Sequence, residues 1–62
     1  MMRVKIKVTL TNGEEAIFHV SPQIYEIFEW HWKHKRDFKI ANRVMKHDEI
    51  LDIQLEEFEV FE

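Results

Sequence analysis

The segment FEWHWKHKRDFK, residues 28–39, concentrates side chains that could bind or react. His31 and His34 stand at positions i and i+3 of a predicted helix, a spacing at which two imidazoles can share a metal ion. A closed zinc site needs four ligands, yet the chain has no cysteine and no acid at the matching helical offset. His31 also falls on the apolar side of the helix, which favours a core histidine with one hydrogen bond. We therefore expect no metal and no other cofactor.

Catalytic motifs are absent from the sequence. It contains no G-x-S-x-G, no P-loop, no H-E-x-x-H and no cysteine nucleophile. Ser21 is the only serine, and its position favours a helix cap. Carboxylates are plentiful, but no pair is marked as sharing a cleft. The sequence therefore predicts a protein that is not an enzyme.

Trp30 is the strongest candidate for a binding residue. On a helical wheel it points away from the apolar face, between Glu26, Lys33 and His34. A large exposed aromatic side chain ringed by charge is typical of an interface anchor. The alternative is that Trp30 lies along its own helix and covers Ile27. We expect protein binding at this helix end through Trp30, Lys33 and His34.

The acidic C-terminal segment EEFEVFE is a second candidate surface. Its apolar residues follow a slip in the strand alternation, so they either fold back over the sheet or form an edge strand that pairs with another chain. The surrounding glutamates favour a basic partner. The binding residues predicted here are Glu57, Phe58, Glu59 and Phe61.

Nucleic-acid binding is the alternative function. Residues 31–47 interleave basic and aromatic side chains, as phosphate contacts and base stacking require. Against it stand the net charge of −3 and an acidic fourth strand that is expected beside the cations of the first strand. The residues that would carry this alternative are Lys33, Lys35, Arg36, Lys39 and Arg43.

The first two strands are predicted to form a hairpin. RVKIKVTL alternates strictly, TNG follows, and EEAIFHV continues. A two-residue turn would leave Phe18 facing water, whereas a three-residue loop over residues 11–13, with Gly13 at positive φ, keeps the larger apolar groups on one face. The predicted pairs are Val4 with Val20, Ile6 with Phe18 and Val8 with Ala16.

A helix and two further strands complete the predicted fold. Ser21 as N-cap and Pro22 at the first helical position begin the helix, which should end near Lys35 or Arg36. The segment DFKIANRVMK predicts a third strand, HDE a turn and ILDIQL a fourth strand, with a bulge or break at residues 56–57. The inward residues of these two strands are predicted to be Phe38, Ile40 and Val44, then Leu51, Ile53 and Leu55.

The predicted fold class is α+β, with the order ββαββ and a four-stranded antiparallel sheet carrying one helix on one face. We expect a single domain over residues 1–62. No apolar run is long enough to span a membrane, and the N-terminus lacks the pattern of a signal peptide. Together with the lack of cysteine, this predicts a cytoplasmic protein with no membrane partner. Because so small a core is marginal, a homodimer is a third alternative.

The stretch VTLTNGEEAIFHVSP, followed by a helix and by FKIANRVMKHDEILDIQ, resembles small uncharacterised accessory proteins of bacteriophages and mobile elements. The resemblance covers most of the chain and assigns no functional residue. It implies a small cytoplasmic protein that binds and modulates a component of a bacterial host. The expected function is therefore modulation or inhibition of a host protein, and its most concrete form is inhibition of a host enzyme or of a nucleic-acid-processing protein.

Overall fold

A computed structural model describes residues 1–60, which form two small antiparallel sheets and one helix. The larger sheet has three strands in the order β2-β1-β5, and the smaller is a hairpin of β3 and β4. The elements are β1 (Met2–Leu10), β2 (Glu15–Val20), α1 (Pro22–Lys33), β3 (Phe38–Ile40), β4 (Arg43–Met45), a 3₁₀ turn (His47–Glu49) and β5 (Ile50–Val60).

The predicted α+β class with one helix and antiparallel strands is confirmed, but the single four-stranded sheet is wrong. The segment that was expected to form one third strand folds back on itself as the β3–β4 hairpin and does not join the larger sheet. The strand predicted as the fourth is β5, and it pairs with β1. Strand β1 is therefore central, and β2 and β5 are the two edges of the larger sheet.

The β1–β2 hairpin has the predicted register. Val4 pairs with Val20, Ile6 with Phe18 and Val8 with Ala16. The loop closes through a hydrogen bond from the Gly13 N–H to the Leu10 carbonyl, at 3.0 Å, and Gly13 has φ 91°. Glycine adopts this left-handed conformation without the steric cost that a β-carbon adds.

Helix α1 begins as predicted and ends slightly earlier. Ser21 caps it by accepting a hydrogen bond from the Ile24 N–H, and Pro22 occupies the first turn. The helix ends at Lys33, after which Lys35 adopts a left-handed conformation with φ 57°. The N–H of Arg36 then donates to the His31 carbonyl at 2.8 Å, and that of Lys35 to the Trp32 carbonyl at 3.1 Å. These two bonds form a Schellman motif, which satisfies the last carbonyls of the helix.

The β3–β4 hairpin turns through Ala41 and Asn42, which both have positive φ, 50° and 64°. Such a two-residue turn matches the twist of the strands that it joins. The turn reverses the chain, so the prediction that Val44 faces inward is wrong: Val44 is 59% exposed and Met45 is buried instead. Ile40 is buried and Phe38 is partly buried, as predicted.

Strand β5 carries two register shifts against β1. The first leaves Leu51 between the Leu10–Ile50 and Thr9–Asp52 pairs, so Leu51 is exposed and its predicted inward position is wrong. The second leaves Glu56 between the Ile6–Leu55 and Lys5–Glu57 pairs. The predicted bulge at residues 56–57 is thereby confirmed, and pairing continues beyond it to Val60.

The core lies between α1 and the inner face of the larger sheet. Val4, Ile6 and Val8 of the central strand are fully buried, and Phe28 of α1 is 1% exposed. The ring of Phe28 stacks on that of Phe38 at a centroid distance of 5.7 Å, which joins the helix to the smaller hairpin. Among residues 1–60, no helix has the length and apolar character needed to cross a membrane.

Candidate functional site

The predicted anchor Trp30 lies on the outside of α1 and is 48% exposed. The imidazole of His34 stacks on its ring at a centroid distance of 4.1 Å and an interplanar angle of 20°. The guanidinium of Arg36 lies 5.7 Å from the ring centroid, within the range of a cation–π contact. We call Ile27, Trp30, His34 and Arg36 the Trp30 surface; Ile27 is also exposed.

The local fold explains why these groups meet. His34 follows Trp30 by four residues, so both lie on one side of the helix, and the His34 Nδ1 lies 2.8 Å from the Trp30 carbonyl. Arg36 returns over the helix end because Lys35 reverses the chain direction. Sequence reasoning placed Arg36 only in the nucleic-acid alternative and missed its contact with Trp30, since that contact depends on a helix end that no glycine marks.

Trp30 stands between two open clefts. One, of about 390 Å³, is lined by Glu26, Ile27, Trp30 and His31. The other, of about 440 Å³, includes Tyr25, Glu29 and Lys33. Part of the indole therefore stays accessible to a partner side chain in each cleft.

Lys33, the third binding residue predicted at this helix end, forms an ion pair within the helix. Its Nζ lies 2.7 Å from the Glu29 Oε1. This hydrogen bond, together with one from Tyr25, holds the pKa of Glu29 below its usual value. The bond to Glu29, with smaller contributions from burial and from the negative charge, raises the pKa of Tyr25 to about 12. Lys33 therefore belongs to a Tyr25–Glu29–Lys33 cluster beside Trp30.

His31 occupies the half-buried side of the helix end, as its position in the sequence indicates. Its Nδ1 lies 2.7 Å from the Ile27 carbonyl, and its ring lies 4.8 Å from that of Phe38. Among residues 1–60, no group of three or more His, Asp or Glu side chains could hold a metal ion. The histidines described here instead contact carbonyls, carboxylates and aromatic rings.

The second candidate surface is an exposed apolar strip at the end of β1 and β5. Phe58 pairs with Val4, Val60 with Met2 and Leu55 with Ile6, so all share the inner face of the sheet. Whereas Val4 and Ile6 are fully buried, Phe58 is 61% and Val60 76% exposed. The inner face is therefore covered over β1 but left open on its β5 side at this end of the sheet. We call the four exposed side chains the open strip: Met2, Leu55, Phe58 and Val60.

Glu57 and Glu59 lie on the opposite, outer face, where acidic and basic side chains interleave. Glu57 pairs with Lys5 and Glu59 with Arg3. The Glu59 carboxylate also lies 2.7 Å from the His19 Nδ1 on β2. The acidic strand thus lies beside β1, as predicted. Phe61, the last predicted binding residue, lies outside the described residues.

Lys7 of β1 takes part in the same arrangement of acidic and basic side chains on the outer face. The Lys7 Nζ lies 3.2 Å from a Glu15 oxygen and 3.5 Å from a Glu56 oxygen. The hydrogen bond and charge of Glu15, followed by the charge of Glu56, raise the pKa of Lys7. This cation therefore faces carboxylates of both neighbouring strands.

The five cations of the nucleic-acid alternative do not share one surface. Lys33 pairs with Glu29, and Arg36 lies over Trp30. Within the small hairpin, Arg43 pairs with Ile40 whereas Lys39 pairs with Val44, so their side chains leave on opposite faces. Lys35 is exposed at the helix end. A continuous basic stripe is not formed by these residues.

No protein-family model matches this chain, and neither a curated protein nor a solved structure matches it. The function is therefore inferred from the geometry of the two surfaces.

Proposed function

We propose that this protein is a non-enzymatic binding module that recognises another protein through the Trp30 surface, with the acidic strand β5 as a second contact region. The observation that supports it best is the half-exposed indole of Trp30, stacked on His34 and flanked by Arg36. Trp and Arg are the residues most enriched at the energetic centres of protein interfaces.

The surroundings of Trp30 favour binding for two physical reasons. Its ring is already held by His34 and Arg36, so less side-chain freedom is lost when a partner binds. Its neighbours combine an exposed apolar group, Ile27, with charged side chains, as in interfaces with an apolar centre and a polar rim.

The most concrete form of this function is inhibition of a host protein, with a nucleic-acid-processing protein as the candidate target. The resemblance to accessory proteins of bacteriophages and mobile elements supports a host component as the partner. The acidic side chains of β5 support a basic one, because opposite charges across an interface favour association.

The test is affinity capture from bacterial lysate, with and without nuclease treatment, using the tagged full chain and its Trp30→Ala variant. We expect the wild type to retain a defined protein, and Trp30→Ala to weaken its binding by about thirtyfold, the effect of losing a strong interface anchor. Val44→Ala is the matched control, because Val44 is also exposed, at 59%, but lies on strand β4 and not on α1. Circular dichroism of each variant establishes that it is folded.

Two outcomes would contradict the proposal. Equal capture by the wild type and Trp30→Ala would remove Trp30 as the anchor. Capture that disappears on nuclease treatment and on charge reversal at Arg36 and Lys39 would favour the nucleic-acid alternative.

A further inference from the structure

Strand β5 is a long edge strand. It spans eleven residues, Ile50–Val60, and pairs with β1 on one side only. Along its other side, no strand among residues 1–60 pairs with it. Edge strands of this length present a row of backbone donors and acceptors to which another chain can add.

The two faces of β5 carry different chemistry. Its outer face presents Asp52, Gln54, Glu57 and Glu59, and its inner face ends in Leu55, Phe58 and Val60. The bulge at Glu56 maintains this separation, because it keeps Phe58 and Val60 on the same face as Leu55. A strand added at the free edge would therefore meet acids on one face and exposed apolar groups on the other.

Strand β1 shows which sequence suits these faces. It places Arg3, Lys5 and Lys7 opposite the polar set of β5, and Val4 and Ile6 opposite the apolar set. Side chains of a strand contact neighbours on both sides. A strand added at the free edge of β5 would therefore meet the same polar and apolar side chains that β1 meets on the paired side.

A second copy of this chain is a poor occupant for that edge. Pairing two β5 strands would bring the acids of one against the acids of the other, and like charges directly opposite each other destabilise a sheet. Strand β2, the other edge of the larger sheet, presents Glu15, Ile17 and His19 on its outer face and so offers no lysine or arginine. Strands β3 and β4 of the smaller sheet span only three residues each, too few to pair along an eleven-residue edge. The matching basic strand, β1, is already paired on both sides.

We propose that β5 accepts, as a fourth strand, an extended segment of another protein in which Lys or Arg alternates with apolar residues. This deepens the proposed protein-binding function, on which it rests, but it uses a surface different from that around Trp30. The apolar side chains of the segment cover the open strip, and its cations meet Glu57 and Glu59. Six strand residues from Leu55 to Val60 span roughly 20 Å, which about six residues of the added segment would match.

The probe is an acetylated and amidated peptide of about seven residues in which Lys alternates with Val. We expect it to bind the full chain, with an affinity that falls as salt rises, because exposed charge pairs are screened. A scrambled peptide of the same composition should bind about tenfold more weakly, because its cations and apolar groups no longer segregate to separate faces. A peptide with Glu in place of Lys should not bind.

Backbone methylation distinguishes strand addition from simple charge attraction. In an added strand, only every second N–H points towards the edge of the sheet. Of two peptides N-methylated at alternate positions, one should therefore lose binding and the other should retain it. Equal binding of both would overturn the proposal.

Protein variants locate the site. Phe58→Ser and Glu57→Gln should each weaken peptide binding by about fivefold, the upper range for one cross-strand pair. Val44→Ser is the control for an exposed apolar residue, and Glu26→Gln is the control for an exposed acid. Neither control should change the affinity.

The outcomes separate this inference from the proposed function. A peptide that binds Trp30→Ala as well as it binds the wild type supports a site on β5. Failure of the peptide to bind, while Trp30-dependent capture of a protein persists, overturns this inference alone. Sedimentation showing a dimer that Phe58→Ser dissociates would overturn it as well, because a second copy would then occupy the edge.

Discussion

The phenol of Tyr25 donates a hydrogen bond to Glu29, which also accepts one from Lys33. A donor bond to a carboxylate stabilises the neutral phenol, and partial burial acts in the same direction. Since the pKa of Tyr25 is raised in the folded chain, this contribution to stability is complete below the ordinary value of 10.0. It is lost as the pH rises towards about 12.

Titration of the single tyrosine tests this contact. The phenolate absorbance should show a midpoint of about 12 in the folded protein. Glu29→Gln should lower the midpoint towards 10.0, because it removes the charged acceptor. Glu26→Gln, on the same helix, is the control and should leave it unchanged. Circular dichroism on the same samples must show a folded chain, and a midpoint near 10.0 in that chain would refute the contact.

Single residues with one steric or capping role were predictable from the sequence. Ser21 and Pro22 mark the helix start, and Gly13 marks the loop of the first hairpin, because few other residues suit those backbone positions. The solvent-facing side of Trp30 followed from helical periodicity. The stacking of His34 and Arg36 on its ring did not, since it depends on how the chain leaves the helix.

The end of α1 shows how an element can stop without its usual signal. Lys35 adopts the left-handed conformation that glycine takes at most such helix ends. Its β-carbon makes this conformation unfavourable by roughly 1 kcal/mol. The two backbone hydrogen bonds of the Schellman motif help to offset that cost.

Lys35→Gly should therefore raise the free energy of unfolding by about 0.5–1 kcal/mol, measured by chemical denaturation. Lys35→Ala is the matched control: it removes the same charge but keeps the β-carbon, so it should give no comparable gain. If both variants were stabilised equally, the gain would come from the lost charge, and the conformational argument would be wrong.

The β3–β4 hairpin was missed because its turn carries no glycine. Ala41 and Asn42 both adopt positive φ, but the sequence ANRV offers neither Asn-Gly nor Asp-Gly as a signal. Without a visible turn, DFKIANRVMK reads as one continuous strand. In one continuous strand the even-numbered residues would face inward, so Val44 is predicted to be buried. The two-residue turn shifts the alternation by one residue, and Met45 is buried instead.

The acidic and apolar residue types of β5 were predictable from the sequence, but its pairing register with β1 was predictable only in part. The slip at residues 56–57 was indicated by Phe58 and Val60, which are out of phase with Leu55, but nothing in ILDIQ indicates the earlier shift at Leu51. The contribution of Met2 to the open strip was also hidden, because it depends on pairing with Val60 across the sheet. Pairings between distant segments are not encoded in local alternation.

Across the whole molecule, the segregated charges of the sequence become neighbours. The basic first strand lies between two strands that carry acids, and Lys7 contacts a glutamate from each. Elsewhere, Asp37 accepts hydrogen bonds from the side chain and the backbone N–H of His47, which joins the end of α1 to the 3₁₀ turn. Ionised carboxylates therefore contact cations or hydrogen-bond donors at several separate places.

Acid should destabilise this arrangement for a reason that can be assigned to particular groups. Hydrogen bonds from His47 lower the pKa of Asp37, and the bonds from Lys33 and Tyr25 lower that of Glu29. Because both values are lowered on folding, their contributions are present above the ordinary values of 3.8 and 4.5. They are lost as the pH falls through the folded-state values. Protonation also removes the negative charges that balance nine Lys and Arg residues and four His residues. The remaining positive charges then repel one another.

We therefore expect the melting temperature to fall as the pH is lowered below about 4.5, measured by thermal denaturation at constant ionic strength. The double variant Asp37→Asn with Glu29→Gln should melt at a lower temperature than the wild type at neutral pH. Its melting temperature should fall less on acidification, because it lacks two groups that bind protons on unfolding. Glu26→Gln, which removes a carboxylate from the exposed side of α1, should follow the wild-type curve. A decline equally steep in the double variant would mean that other carboxylates, such as those along β5, carry the acid sensitivity.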